Sequence, residues 1–256
     1  MTMEILGIDI GGSGIKGAPV NINTGELLVE RHRIETPQPS TPDAVIETVA
    51  QMTKYFNWQG PLGCTFPAVI KQGMIYTAAN IDKSWRGVEG ESLIAARTGC
   101  PTLLLNDADA AGIAEMELGA GQGHQGVVIV LTFGTGIGSA IFVGGQLLPN
   151  TEFGHMEIRG KEAEHRAAAR IRKEENLTWK SWAQQVNEFL DRMEALFWPD
   201  VFIIGGGVSR KHDKFLHLLH TRAEIVPAHF RNRAGIIGAA IAAGKQFNLQ
   251  LVMTTD

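Results

Sequence analysis

The stretch that decides the start of the fold is residues 4–20, which read EILGIDIGGSGIKGAPV. Two apolar runs, 5–10 and 15–20, flank a glycine-rich turn, a pattern that predicts two strands joined by a tight hairpin. Small residues let backbone N–H groups of such a turn point at an anion, and a hydroxyl and an ammonium group add further donors. The turn is therefore a candidate phosphate-binding loop, formed by Asp9, Gly11, Gly12, Ser13 and Lys16.

Two more glycine-rich turns follow apolar runs of strand length. Residues 134–138 read GTGIG after the run 127–133, and residues 205–207 read GGG after the run 201–204. A single such turn is as easily a plain hairpin, but three in one chain favour phosphate binding. The spacing matches neither GxxxxGK[ST] nor a GxGxxG that opens a helix, which disfavours a P-loop NTPase and a Rossmann dehydrogenase. The candidate donor-binding residues here are Gly134, Thr135, Gly136, Gly206 and Gly207.

Strand-like and helix-like segments alternate along the chain, which indicates an α/β architecture. A third strand is predicted at 27–34, and a helix is predicted to begin at Thr41-Pro42-Asp43 with the threonine hydroxyl as its cap. The remaining predicted strands are 62–66, 102–105 and 139–143, and the remaining predicted helices are 91–98, 108–118, 162–175, 179–197 and 234–245.

Composition narrows the class of protein. The chain has 256 residues, a formal net charge of −4 and 44% hydrophobic residues, a balance that argues against a dedicated nucleic-acid binder. Cys64 and Cys100 are the two cysteines and have no close partner, so we expect neither a disulfide framework nor a zinc pair. With no signal-peptide pattern at the N-terminus, we expect a cytoplasmic protein.

Polar residues follow the predicted strand 102–105, at the end of a strand where α/β sheets bind ligands. Asn106 and Asp107 stand there, and an Asn-Asp pair at this place is also a common helix cap. Asp107 has a further chemical reason to be there, because a sugar hydroxyl becomes a good nucleophile when a carboxylate accepts its proton. Both interpretations stay open at this point.

Taken in order, these motifs resemble those of the ROK family of sugar kinases. They are DIGGSGIK at 9–16, LNDADA at 105–110, GTGIG at 134–138, EFGH at 152–155 and GGGVS at 205–209. The segments ANIDKSW at 79–85, VPA at 226–228 and AGI at 234–236 are similar to the polyphosphate glucokinase branch, which includes polyphosphate/ATP glucomannokinases.

The resemblance implies an actin-like, ribonuclease-H-like α/β fold of two domains with a central cleft. Residues 1–106, completed by a helix near 238–256, would form the N-terminal domain, and 107–237 the larger C-terminal domain. It also implies phosphorylation of glucose, with mannose as an open second substrate, at the 6-hydroxyl. The phosphoryl donor would be polyphosphate, with ATP as an open alternative, together with Mg²⁺ and a homodimeric protein.

Individual roles are implied in the same way. Asp107 matches the general base, and Asp9 matches a position of the first phosphate loop. Independently of the resemblance, Asp9 stands at the end of the predicted strand 5–10, where a carboxylate is a candidate to hold Mg²⁺ through water. Many family members hold zinc with a histidine and a cysteine cluster, but no cysteine follows Cys100, so we expect no zinc site. The positions that match sugar contacts are Asn80, Asn106, Asp107, Glu152, His155 and Glu164.

Donor choice and substrate leave alternatives open. A polyphosphate chain needs a local track of cations, for which the candidates are Lys16, Lys71, Lys83, Arg86, Arg170, Arg172, Lys173, Arg210, Lys211, Arg231 and Arg233. The alternative functions are an ATP-dependent kinase for another hexose or an N-acyl amino sugar, and a non-catalytic sugar-sensing member of the same family.

Overall fold

The computed structural model describes residues 3–79 and 81–247. Contacts divide these residues into two compact units. The first holds the residues up to Ala114 together with those from Arg233 onward, and the second is Glu115–Asn232. The domain limits at 106 and 237 that the sequence suggests stay a prediction about folding units. Asn80, one of the predicted sugar contacts, lies outside the described residues.

The first unit is built on a mixed sheet. Its central strands run parallel and end at one edge, whereas the N-terminal hairpin is antiparallel. The strand order is β3-β2-β1-β5-β8, and β4 also pairs with β2. The strands of this unit, which include a separate short hairpin of β6 and β7, are β1 (Glu4–Gly11), β2 (Gly14–Asn21), β3 (Glu26–Leu27), β4 (His32–Ile34), β5 (Leu62–Phe66), β6 (Ile70–Lys71), β7 (Met74–Ile75) and β8 (Thr102–Asn106).

The second unit repeats this plan with a five-stranded sheet in the order β11-β10-β9-β14-β15. Here β9 and β10 form the antiparallel hairpin, and β9, β14 and β15 run parallel. Two short strands, β12 and β13, pair separately. The strands are β9 (Val127–Phe133), β10 (Ile137–Val143), β11 (Gln146–Leu148), β12 (Glu157–Ile158), β13 (Lys161–Glu162), β14 (Val201–Gly205) and β15 (Glu224–Pro227).

Seven α-helices cover these sheets within the described residues. They are α1 (Pro42–Tyr55), α2 (Gly90–Thr98), α3 (Asp107–Leu118), α4 (Glu164–Ala167), α5 (Ala169–Glu174), α6 (Trp179–Phe197) and α7 (Ala234–Gln246). None of the helices in the described part of the chain is both long and apolar enough to cross a membrane.

Each unit has its own apolar core. In the first unit α7 crosses so close to α3 that a Cβ placed at Gly238 would lie 1.7 Å from the Ala110 carbonyl oxygen, so only glycine fits there. In the second unit the inner face of α6, with Trp182, Val186 and Phe189 fully buried, packs into the core. The apolar side chains on this face of the helix predicted at 179–197 are therefore core packing.

Most predicted elements are confirmed, and the exceptions follow. The strand expected at 27–34 is two short strands, β3 and β4. The sequence did not predict β15, which ends in a proline. Thr41 occupies the N-cap of α1, but its side chain makes no capping hydrogen bond, so the predicted hydroxyl cap is wrong.

The single helix predicted at 162–175 is also wrong, because Ala168 is non-helical with φ −59° and ψ 150°. The indole of Trp182 donates to the Ala167 carbonyl oxygen at 2.9 Å, and the Arg170 N–H donates to the Gly134 carbonyl oxygen at 3.1 Å. These two tertiary hydrogen bonds take backbone groups at the break between α4 and α5. Long-range bonding therefore outweighs the helix propensity of an alanine-rich segment.

Candidate functional site

The first glycine-rich turn joins β1 to β2. Gly11 lies opposite Gly14, so Gly12 and Ser13 form the turn itself, and Asp9 lies opposite Lys16. The Lys16 ammonium is 3.3 Å from Asp9 Oδ2, and the Thr65 hydroxyl donates to Asp9 Oδ1 at 3.0 Å. The carboxylate at the end of β1 is thus held between a cation and a hydroxyl.

Three side chains that follow β2 in the sequence hold the back of this turn. Arg33 Nη2 donates to the Ser13 carbonyl oxygen at 2.8 Å and Gln38 Nε2 to that of Gly12 at 3.5 Å. The buried Thr36 hydroxyl donates to the Gly11 carbonyl oxygen. We call Arg33, Thr36 and Gln38 the loop clamp.

The loop clamp has a geometric consequence. In a trans peptide the C=O and the following N–H point in opposite directions. Carbonyl groups bound to the clamp therefore turn the N–H groups of Gly12 and Ser13 away from it. A turn that presents N–H groups on one side is a binding surface for an anion. The sequence contained no signal for the clamp, because Arg33 is 20 residues from Ser13.

The candidate base stands where β8 passes into α3. Asn106 is buried, and its Oδ1 accepts hydrogen bonds from the N–H groups of Ala108 at 2.8 Å and Asp109 at 3.1 Å. Its Nδ2 donates to the Ala68 carbonyl oxygen at 3.1 Å. The helix-cap interpretation is thus correct for Asn106, whose predicted sugar contact stays a prediction. Asp107, the next residue, is exposed in the first turn of α3.

The first unit brings Asp9 and Asp107 to the same edge of its sheet. Asp9 on β1 is the register partner of Thr65 on β5, which is the partner of Leu105 on β8. Neighbouring strands lie about 4.8 Å apart, so Asp9 and Leu105 are separated by roughly 10 Å across the sheet. Asp107 follows two residues later. The first glycine-rich turn and the Asp107 carboxylate thus share one strand-end edge, the usual ligand position in α/β sheets.

The second glycine-rich turn, between β9 and β10, repeats the arrangement of the first. The Gly134 N–H donates to the Gly136 carbonyl oxygen at 3.0 Å. Arg170 makes two hydrogen bonds to the back of this turn. Its backbone N–H donates to the Gly134 carbonyl oxygen at 3.1 Å, and its side-chain Nε donates to the Thr135 carbonyl oxygen at 3.1 Å. An arginine therefore holds backbone carbonyl groups behind each of these turns. Thr135 is exposed at the tip.

The third turn lies beside the second. Gly206 has φ +78°, and a Cβ there would lie 2.6 Å from both the N and the O of Phe133, the last residue of β9. The Ser209 hydroxyl donates to the Gly206 carbonyl oxygen at 2.8 Å. The predicted donor residues at 134–136 and 206–207 are thus neighbours at one edge of the second sheet.

The three predicted sugar contacts of the second unit also come together. Glu164 Oε2 accepts a hydrogen bond from the Ile137 N–H at 3.4 Å and lies 2.4 Å from where a Cβ on Gly136 would be. His155 Nε2 is 3.9 Å from Glu152 Oε2. Glu164 therefore lies against the second turn, and a Cβ at Gly154 of the EFGH segment would lie 3.4 Å from its Oε2.

Two side chains that the sequence did not single out complete this cluster. His155 Nδ1 is 3.3 Å from Glu162 Oε2, and His165 Nδ1 is 3.6 Å from the same oxygen. In this chain no cysteine cluster follows His155, and its Nδ1 instead has the Glu162 carboxylate as its partner. Within the described residues, His155, Glu162 and Glu164 could together hold a metal ion, since one ligand atom from each lies within 4.8 Å of the others. The expectation of no zinc stays a prediction.

Proton affinity in this cluster is shifted. Burial raises the pKa of the Glu152 carboxyl, His155 lowers it, and Glu164 raises it. For His155, burial by itself lowers the pKa, but the hydrogen bond with Glu162 and the charges of Glu162, Glu164 and Glu152 raise it overall above 6.5. The cluster therefore favours a protonated His155.

This shift gives a measurable expectation for pH dependence. The pKa of His155, followed by NMR titration of its ring protons, should lie above 6.5, and Glu162→Gln should lower it because the main partner loses its charge. The pKa of His155 is higher in the folded protein than in the unfolded chain. Its protonation therefore contributes to the free energy of unfolding at low pH, and this contribution is lost as pH rises through the folded-state pKa. Asp191→Asn, at an exposed acid on α6, is the control. An unchanged pKa in the Glu162 variant would contradict the assignment.

The sequence and the fold are similar to those of known proteins. The ROK family profile matches residues 5–176. The chain is 52% identical over 238 residues to a polyphosphate glucokinase of Mycobacterium tuberculosis, covering 93% of this chain and 90% of that protein. The crystal structure of an inorganic polyphosphate/ATP-glucomannokinase from Arthrobacter sp. strain KM is similar with a TM-score of 0.91 and 46% identity, covering 95% and 99% of the two chains.

A more distant solved structure shares the fold alone. It is a ROK family glucokinase from Streptomyces griseus in complex with glucose and AMPPNP, with a TM-score of 0.80 and 24% identity, covering 95% of this chain and all of that one. The structural similarity to sugar kinases shows the actin-like two-domain fold that the sequence motifs imply.

Proposed function

The chain belongs to the ROK family, and from that premise we propose that it phosphorylates glucose at the 6-hydroxyl with inorganic polyphosphate as donor. The observation that carries this proposal is the edge of the first sheet, where the donor turn and Asp107 lie together. The names of two relatives described above, a polyphosphate glucokinase and a polyphosphate/ATP-glucomannokinase, support the donor and the sugar.

The proposed reaction is a direct phosphoryl transfer. The Asp107 carboxylate accepts the proton of the 6-hydroxyl while that oxygen attacks the terminal phosphorus of the chain. The new P–O bond forms as the bond to the next phosphate breaks, so the products are glucose 6-phosphate and a chain one phosphate shorter. Asn106 fixes the start of α3 and thereby the position of Asp107.

The donor would be bound by the glycine-rich turns. In the first turn, N–H groups of Gly12 and Ser13 and the Lys16 ammonium supply positive partners for phosphate oxygens. In the second unit we assign Gly134, Thr135 and Gly136 to the same task, with Gly206 and Gly207 beside them. Sugar contact is assigned to Glu152, His155 and Glu164, with Asn106 and Asn80 on sequence grounds.

Magnesium fits the donor side. Asp9 offers a carboxylate that is 24% exposed at the end of β1, and Mg²⁺ typically uses one or two carboxylates with substrate phosphates and waters. Asp9 would hold the ion through water. When bound, the ion would neutralise charge on the donor phosphates.

A panel of steady-state assays tests the proposal. Glucose, mannose and N-acetylmannosamine are each combined with polyphosphate and with ATP. We expect turnover with glucose and polyphosphate. The second candidate, a kinase that uses ATP, is favoured by the polyphosphate/ATP relative and would show turnover with ATP alone. Absence of turnover in every combination would contradict both and leave the sugar-sensing alternative.

The loop clamp gives a second kinetic expectation. Arg33→Met should raise KM for the phosphoryl donor by roughly tenfold, because the turn loses a hydrogen bond from a charged group. KM for glucose should change by less than about twofold. Arg33→Lys should recover part of the effect. Arg97→Met, at another exposed arginine of the same unit that pairs with Glu47, is the matched control. Equal changes in both KM values would contradict a donor-side role.

A homodimer stays a prediction. The inner face of α6 is used by the core, whereas Leu196 and Trp198 at its C-terminal end are 64% and 68% exposed. Light scattering coupled to size-exclusion chromatography measures the mass directly. We expect twice the mass of 27.8 kDa.

A further inference from the structure

Thr65 carries a fully buried hydroxyl group near the carboxyl end of β5. The parallel strands on either side of β5 place Asp9 and Leu105 opposite it. Its hydroxyl donates to Asp9 Oδ1 at 3.0 Å. Most side-chain hydrogen bonds go to backbone or water, whereas this one joins two side chains that are 56 residues apart in the chain. The interior of the first sheet is therefore tied to the carboxylate beside the first glycine-rich turn.

The two partners of Asp9 differ in how firmly they hold its carboxylate. Thr65 is fully buried, and its branched Cβ restricts the rotation of its side chain. Lys16 has a flexible four-carbon stem, its side chain is 28% exposed, and its ammonium is 3.3 Å from Oδ2. That ammonium is also assigned to the donor phosphates, and its stem allows it to turn toward them. The threonine hydroxyl is then the contact that keeps the orientation of Asp9.

The first turn of α7 packs on the same side of this carboxylate. A Cβ at Gly235 would lie 3.6 Å from Asp9 Oδ1 and 3.7 Å from the Thr65 Cγ2. Oδ1 therefore lies against a strand and a helix, whereas Oδ2 has the partly exposed Lys16 side chain as its neighbour. The partner of Oδ2 can be exchanged while Oδ1 keeps its hydrogen bond.

We propose that Thr65 is a positioning residue that fixes the Asp9 carboxylate for Mg²⁺. By holding Oδ1, its hydroxyl leaves Oδ2 ready to accept a hydrogen bond from a water of the ion once Lys16 has turned to the donor phosphates. Loss of a hydrogen-bonding partner behind a metal-binding group typically weakens metal binding by roughly 10- to 100-fold. The inference rests on the proposed function, because Asp9 and Mg²⁺ belong to the donor side of that reaction.

Thr65→Val removes the hydroxyl and keeps the shape of the side chain. The free Mg²⁺ concentration for half-maximal turnover of glucose and polyphosphate should rise by about tenfold, while KM for glucose changes by less than about twofold. At saturating Mg²⁺, kcat should return to within about threefold of wild type, because the variant binds the ion more weakly and still binds it. Thr65→Ser keeps the hydroxyl and should restore most of the affinity for Mg²⁺.

A second measurement follows metal binding without turnover. The complex of Mn²⁺ with tripolyphosphate enhances the relaxation rate of water protons when it binds a protein, so a titration without glucose gives its dissociation constant. This constant should be about tenfold higher for Thr65→Val. Thr102→Val is the matched control and should behave as wild type in both measurements. Thr102 is a buried threonine of the neighbouring strand, and its hydroxyl donates to the Cys100 carbonyl oxygen at 3.0 Å.

The outcomes separate the two levels of inference. Wild-type protein without polyphosphate turnover would contradict the proposed function itself. Wild-type turnover with an unchanged Mg²⁺ requirement in Thr65→Val, or with an equal rise in Thr102→Val, would overturn the positioning role alone. A loss of kcat that saturating Mg²⁺ does not restore would overturn it as well, since a general structural defect behaves in that way. Should Thr65→Val unfold in a thermal scan, Thr65→Ala provides the same comparison.

Discussion

Replacing Asp107 with asparagine is expected to lower kcat by about 10²- to 10⁴-fold, the usual contribution of a positioned general base. The amide has nearly the same shape but cannot accept the proton of the sugar hydroxyl. KM for glucose should change by less than about threefold, because the loss occurs in the transition state and not in sugar binding. Steady-state kinetics with saturating donor measures both quantities.

The exposure of Asp107 makes this variant easy to interpret. Because its side chain is exposed at the start of α3, the isosteric change should leave the fold intact, and a thermal unfolding curve checks this. Asp191→Asn, an exposed acid on α6, is the matched control and should keep full activity. If the Asp107 variant retained a kcat near that of the wild type, another group would have to be the base.

Replacing Gly206 with alanine should lower the free energy of unfolding by about 2–4 kcal/mol, as the sum of a left-handed backbone and an overpacked contact. The added Cβ would lie 2.6 Å from the backbone N and O of Phe133, and a backbone atom of a central strand cannot move aside as a flexible side chain can. Equilibrium unfolding in urea measures the effect.

The neighbouring glycine provides the control for this measurement. A Cβ at Gly207 meets nothing within 4 Å, and its φ is not in the left-handed region. Gly207→Ala should therefore change the free energy of unfolding by less than about 0.5 kcal/mol. Equal stability of the two variants would show that the third turn tolerates a side chain at Gly206 and is less tightly packed on β9 than described.

The two turns held by arginines show most clearly what could be predicted from the sequence and what required the tertiary structure. Both turns follow directly from glycine spacing between apolar runs, because hairpin geometry depends on neighbouring residues. The arginines behind them, Arg33 and Arg170, are 20 residues from Ser13 and 35 residues from Thr135. No local pattern connects such pairs, and they meet only because β4 and α5 pack beside the turns.

The same distinction applies to the carboxylates. Asp107 could be assigned a role from sequence because the motif around it is contiguous. Glu115, eight residues later in the same helix, belongs to no motif. It nevertheless binds the backbone N–H groups of residues 229 and 230, which are more than a hundred residues away. A glutamate in a helix is normally a solvated residue, and only its burial in the folded chain shows otherwise.

What the sequence determined by itself was the family, the glycine-rich turns, the position of the candidate base and most strands and helices, since these depend on short-range periodicity and contiguous motifs. Tertiary structure alone decided which side chains bind the carbonyl groups of the turns. It also decided that the helix expected at 162–175 breaks at Ala168, and which groups Glu162 and Glu115 bind. The physical reason is that a buried polar group must find a hydrogen-bonding partner wherever the fold brings one, and that choice is made between residues remote in the chain.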